Sequence, residues 1–176
     1  MTIRDPGSRR RRREGGAIIV EAAFILPVLF MVVVGLVTYG TALGQRNSLE
    51  NAAREASRYG ATRPVSGTNA WLDAVAQVAV AAATGEIDAG APGRHVCVAL
   101  VGAGSSDGRR EVDGTSAPSY FGAGNCKRPD GSDVTCPTSA PCVQVALHRS
   151  VTLDAVAFTH SVTIDAANVS VFERLP

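Results

Sequence analysis

Between Glu21 and Arg46 the chain runs for 24 residues, Ala22 to Gln45, without one formal charge. Coiled as an α-helix at about 1.5 Å per residue, such a run extends about 36 Å, more than the roughly 30 Å hydrocarbon core of a bilayer. It reads as a membrane span, and the charges around it orient the span. Residues 1–16 carry six arginines, five of them consecutive at Arg9–Arg13, against Asp5 and Glu14, net +4; the rest of the chain has eleven basic against fourteen acidic residues, net −3. Basic residues next to a span are held on the cytoplasmic side. The expected organisation is therefore a cytoplasmic basic leader over 1–16, a transmembrane helix over 17–44 and an extracytoplasmic domain over 45–176, in a single-pass protein of the cell membrane. An arginine run also occurs in nucleic-acid-binding and nuclear-targeting segments. Its place directly before an apolar run favours the topogenic role, so membrane lipid is expected as a partner and nucleic acid is not.

A secretory signal peptide competes with this reading, since it shares the basic start and ends at small residues such as Ala42-Leu43-Gly44. Its apolar region normally covers about 7–15 residues. Here the apolar region continues from Ala17 to about Leu43, which favours a retained anchor.

Within Gly15-Gly16-Ala17-Ile18-Ile19-Val20-Glu21, a glycine closes the basic leader and a lone carboxylate follows at the membrane boundary. An unpaired carboxylate in lipid costs several kcal/mol and needs a partner or a route to water. A cut after Gly16 would place a new ammonium on Ala17, one helical turn from Glu21. Alternatively, Glu21 reaches headgroups and water at the interface and marks where the helix enters the bilayer. Further along, Pro27 removes a helical hydrogen bond, which membrane helices tolerate when neighbours compensate. Gly35, Gly40 and Gly44 offer a small-residue face, and Gly40-Thr-Ala-Leu-Gly44 fits a helix-pairing pattern that also arises by chance.

Together Gly16, Val20-Glu21-Ala22-Ala23-Phe24, Pro27 and Asn51-Ala-Ala-Arg-Glu-Ala-Ser-Arg-Tyr-Gly-Ala61 resemble the TadE-like family, with the match concentrated in residues 15–63. The sequence departs from the family in having Ala22 directly after Glu21, with Phe24 two positions later. The resemblance implies a bacterial pilin-related (pseudopilin) component of the Tad (Flp) pilus assembly and secretion machinery. It implies pilins and other Tad/Flp assembly proteins as partners, and prepilin-peptidase processing between Gly16 and Ala17. Glu21 would then be the fifth residue of the mature chain, with Glu21, Phe24 and Pro27 as the assembly residues.

After the span, Leu49, Ala52, Ala53, Ala56 and Tyr59 form one apolar stripe at helical spacing, and Glu50 stands four residues before Arg54, a favourable pair. Gly60 and Arg63-Pro64 read as stop signals. A second helix is expected from a cap at Thr68 or Asn69 through Trp71, Val75, Val78 and Ala82 to Gly85, with Trp71 as a core anchor. The C-terminal half changes period. Arg94–Val101, Cys142–His148, Val151–Asp154 and Ser161–Phe172 are strand-like, and alternation is clearest in Val162-Thr-Ile-Asp and Val169-Ser-Val-Phe. Residues 102–141 are rich in Gly, Ser, Asp and Pro and read as a long loop. The expected fold class is α+β: a transmembrane helix extending into an amphipathic helix, then a small antiparallel sheet, pilin-like, with a disulfide-stapled loop.

Cys97, Cys126, Cys136 and Cys142 all fall in the outer domain, and an even count in an oxidising compartment favours two disulfides, with three pairings open. A metal site is disfavoured: Cys-x9-Cys-x5-Cys has no close pair, and His95, His148 and His160 are scattered in sequence. Nor is there a Gly-x-Ser-x-Gly elbow, a phosphate loop or a His-Glu-x-x-His helix, and Gly102-Ala-Gly-Ser-Ser reads as a flexible turn. Asp73, Glu86 and Asp88 read as solvated charges. No enzyme activity, catalytic residue, cofactor or small-molecule substrate is expected. Two other readings stand beside the assembly role: a bitopic envelope protein whose outer domain binds an extracellular ligand, and a secreted domain released after Gly44.

Overall fold

The computed structural model describes residues 8–83, 85–88, 91, 93–137, 139–155 and 158–172, with only the backbone described at 8–17, 153–155 and 158. The chain divides into two units, Met1–Gly40 and Thr41–Pro176. The first helix, α1 (Ser8–Thr62), contributes to both, and Pro27 lies inside it.

In the second unit α1 buries Leu49, Ala52, Ala53 and Ala56, the stripe expected from spacing, with Tyr59 partly buried against the same core. The helix runs on through Gly60, which is therefore not a stop. A Cβ there would meet Trp71 Cζ2 and Val143 Cγ1 at 3.0 Å and Val75 Cγ2 at 3.1 Å, so the position is glycine because a neighbouring helix and strand pass against it. The second helix, α2 (Thr68–Ala82), buries Trp71, Leu72, Val75, Ala76 and Ala79. Its expected cap is absent: Gly67 precedes it without a side-chain cap, and the Thr68 hydroxyl instead donates to the Ser106 carbonyl at 3.2 Å.

Five antiparallel strands follow, β1 (Arg94–Val101), β2 (Gly108–Asp113), β3 (Ser119–Phe121), β4 (Cys142–Ala155) and β5 (Phe158–Val171), in the order β3-β2-β1-β4-β5. The expected α+β class holds. The two strand-like runs Cys142–His148 and Val151–Asp154 are one strand, β4, paired to β5 from Cys142↔Val171 to Ala155↔Phe158. Residues 102–141 are not the continuous loop the composition suggested. They hold β2, β3 and a 3₁₀ turn over Gly104–Ser106, and Asp107 Oδ1 fixes that turn by accepting from the Ala103 amide at 2.6 Å. β2 has one large apolar residue, Val112, too little to show alternation; pairing to β1 in the register Cys97↔Glu111 and Val98↔Arg110 supplies what propensity does not.

Both faces of the central strands are covered. Val96, Val98, Leu100, Val112, Val143, Val145, Leu147, Ile164 and Ala166 pack with the helices in the main core. Cys97, Ala99 and Ala146 face the other way and form a second cluster with Cys126 and Val134 from the 122–141 segment. Disulfides Cys97–Cys126 and Cys136–Cys142 fasten that segment, so all four cysteines are paired. Buried Gln144 completes the attachment: its Oε1 accepts from the Cys126 amide at 3.0 Å, and its Nε2 donates to Asn125 Oδ1 at 2.9 Å. Polar side chains at such depth persist because their hydrogen bonds are made.

Candidate assembly surface

From Ile18 to Leu43 the α1 surface is a nearly unbroken set of exposed apolar side chains, including Phe24 at 74 % and Leu26 at 62 % exposed. Within Ile18–Thr62, the stretch apolar enough to cross a membrane has none of its residues buried. Each exposed large side chain forgoes about 1.5–3 kcal/mol that burial would supply. A contiguous surface of this extent marks contact with lipid or with other apolar helices. Polar groups along it are few, and one of them is satisfied within the helix: the Thr38 hydroxyl donates to the Val34 carbonyl at 2.9 Å.

Glu21 and Phe24 are exposed on this helix, and Pro27 lies about one turn beyond Phe24. With no N–H, Pro27 leaves the Ala23 carbonyl without its usual helical donor. Among the described residues no ion pair involves Glu21. Gly16 and Ala17 lie in the backbone of α1 and their surroundings are outside the described residues, as is the start of the leader, residues 1–7. Nothing lies within 4 Å of a Cβ built at Gly35, Gly40 or Gly44, so each leaves room for a closely packed neighbour.

The second unit brings together several polar groups that sequence spacing did not connect. Asp73, expected to be solvated, takes Arg110 Nε at 2.7 Å and the Tyr120 hydroxyl at 2.7 and 2.8 Å. That hydrogen bond raises the Tyr120 pKa above its ordinary value. Glu86 is likewise engaged, accepting from Arg149 Nη1 at 2.8 Å, whereas Asp88 is exposed as expected. Glu50 pairs with both Arg46 and Arg54, adding a preceding partner to the expected one. His95 and His148, distant in sequence, stack across β1 and β4 with centroids 4.3 Å apart and planes 10° apart. Asp113 and Asp165 stand at the ends of the same cross-strand row. Burial and the neighbouring His95 lower the His148 pKa to about 4, with Asp113 and Asp165 acting in the opposite direction.

Spacing also missed Ser57, wholly buried on the α1 stripe, whose Oγ donates to the Arg54 carbonyl and accepts from Asn168 and Ser170 of β5. A hydroxyl between Ala56 and Gly60 on an otherwise apolar stripe was the available signal. For the Asp73, Glu86 and histidine contacts there was none, because each depends on strand register.

The family model described as TadE-like protein matches residues 16–58. That span covers the exposed apolar helix with Glu21, Phe24 and Pro27, and the start of the buried stripe up to Arg58. No curated protein and no solved structure matches the chain.

Proposed function

We propose that the chain, whose residues 16–58 match the TadE-like model, is a membrane-anchored, pilin-like component of a Tad/Flp-type pilus assembly or secretion apparatus, with a structural and not an enzymatic role. The observation that carries this reading is the coincidence of that match with the exposed apolar surface of α1, Ile18 to Leu43. Such a surface is stable only in lipid or against similar helices. The basic leader keeps the N-terminus cytoplasmic, and the domain from Gln45 onward lies outside, where its disulfides form and persist.

In this role the helix docks laterally beside the helices of partner pilins. A prepilin peptidase cuts between Gly16 and Ala17, and the new ammonium or a neighbouring subunit supplies the counter-charge that a carboxylate at the membrane boundary requires, so Glu21 sets axial register. Phe24 and Pro27 shape the contact. The deciding measurement is terminal-peptide mass spectrometry of the membrane-associated protein from its native cell. A start at Ala17 is expected; a start at Met1 or Thr2 removes the processing step, and one at Gln45 makes the span a signal peptide. A Glu21→Ala variant is expected to lose co-purification with pilin partners, and unchanged co-purification overturns the register role.

A further inference from the structure

Among the described residues of the second unit, four arginines are partly or wholly buried, and three are matched to an acid: Arg109 to Glu111, Arg110 to Asp73 and Arg149 to Glu86. Arg94, at 8 % exposed, differs from these three. Its Nε donates to the Gly114 carbonyl at 2.6 Å and its Nη1 to the Ile87 carbonyl at 3.0 Å, and among the described residues it forms no ion pair. Two carbonyls engage two of its five N–H donors and bring no net negative charge. A buried guanidinium left in that state carries a desolvation cost that an anion would offset.

Arg94 lines a groove of about 410 Å³ between α2 and the strands β1 and β2. Ala76 and Val80 of α2, Val96 of β1, Val112 of β2 and Pro118 line it, so the surface is apolar apart from a few charged and polar positions. Arg110 adds a second guanidinium, already held by Asp73, and exposed Asp88 is the one carboxylate on the lining. The groove thus offers small aliphatic surface around a buried cation that, among the described residues, forms no ion pair with Asp88 or any other acid.

We infer that this groove is a docking site for a segment of a partner protein that presents one carboxylate flanked by small aliphatic side chains, the carboxylate completing the charge of Arg94. Apolar walls exclude water from the pair and make it stronger than an exposed one, while the aliphatic flanks cover the part-exposed Val80 and the exposed Pro118. A neutral amide in place of the acid fits the same shape and leaves the guanidinium uncompensated. Selectivity for acid over amide is therefore the signature of the site. The inference does not depend on processing at Gly16 or on pilus assembly, so its failure would leave that reading untouched.

The test uses the full chain, methyl-labelled at valine, in phosphatidylcholine nanodiscs, titrated with acetyl-Ala-Val-Glu-Val-Ala-amide and, in parallel, with the peptide carrying Gln in place of Glu. Saturable shifts of the Val96 and Val112 methyls are expected, about tenfold or more weaker for the Gln peptide, the size that follows from losing a charge-assisted hydrogen bond. Gln77 is exposed on the groove lining, so Gln77→Glu places a competing carboxylate there without disturbing the core, and it should weaken the Glu peptide about tenfold. Equal binding of the two peptides, or no saturable shift up to about 1 mM, overturns the inference. So do Val96 and Val112 shifts that follow protein concentration without peptide, which would make a second copy of the chain the occupant, or shifts that follow anionic lipid content, which would make it a membrane surface.

Discussion

The Nδ2 of Asn168 donates to the Oγ of Ser57 at 2.7 Å, joining the last strand of the sheet to the first helix at a point where Ser57 is wholly buried. Ser170 donates to the same oxygen at 2.9 Å. Replacing Ser57 with Ala removes an acceptor that two donors share in a dry site. The expected loss is about 1–3 kcal/mol for the unsatisfied groups, partly offset by about 0.5 kcal/mol from the better helix propensity of alanine. Urea unfolding of the full chain in detergent, followed by fluorescence of its single tryptophan, Trp71, measures it. An unchanged midpoint would mean that water or another acceptor replaces the hydroxyl.

Gly60 makes a second test of the same junction. A Gly60→Leu change drives a side chain into Trp71, Val75 and Val143 and should destabilise by about 1–3 kcal/mol, as overpacking does. Gly60→Ala should lie near neutrality, because a helix gain of about 1 kcal/mol opposes a single tight Cβ. The contrast between the two, in the same unfolding assay, separates a packing constraint from the helix-stop role that the sequence suggested.

The two disulfides should differ in worth. Cys97–Cys126 closes a separation of 29 residues and Cys136–Cys142 one of 6. On the loop-entropy account, replacing the first pair with Ala costs about 3–4 kcal/mol and the second about 2 kcal/mol. The first also ties Cys126 over the second hydrophobic cluster, so its loss should expose amides of the 122–141 segment to hydrogen exchange while β4 and β5 stay protected.

Acid should weaken the second unit through His148. Its folded pKa, about 4, lies below the 6.5 of the free side chain, so between those values the unfolded chain binds the proton and the folded one does not. The stability is therefore full above about pH 6.5 and is lost as pH falls toward 4. For a half-buried imidazole, screening reduces the effect to about 1–2 kcal/mol. His148→Phe, which keeps a ring stacked on His95, should flatten the dependence of the unfolding midpoint across this window.

How far the sequence could lead is visible in particular residues. The stripe Leu49, Ala52, Ala53 and Ala56 was legible because helix period is local. β1 was legible to its ends, since a strand covered on both faces shows as a continuous apolar run in Arg94–Val101. Residues 108–113 were not, because Gly-Arg-Arg-Glu-Val-Asp becomes a strand only through pairing with β1. Pairing of the cysteines was legible as a count and not as a connectivity. In the candidate assembly surface, Glu21 stood out through its charge and Pro27 through its backbone chemistry, whereas Phe24 came only from the family resemblance. The acid partners of Arg110 and Arg149 belong to distant segments, and no spacing rule reaches them.

The hydrogen bonds from β5 to Ser57 span 111 and 113 residues of chain, and β5 forms the edge of the sheet next to β4. During synthesis, α1 is therefore made long before the strand that completes its polar anchor. β4 and β5, joined as a hairpin, can zip early once both exist, whereas closure against the helix must wait for the C-terminal residues to arrive. Until then the core around Leu49, Ala52, Ala53 and Ala56 lacks its β5 members, Ile164 and Ala166, and stays incompletely covered on the nascent chain. The interval before the last strand is delivered is the period in which this protein most needs either a holding partner or rapid completion.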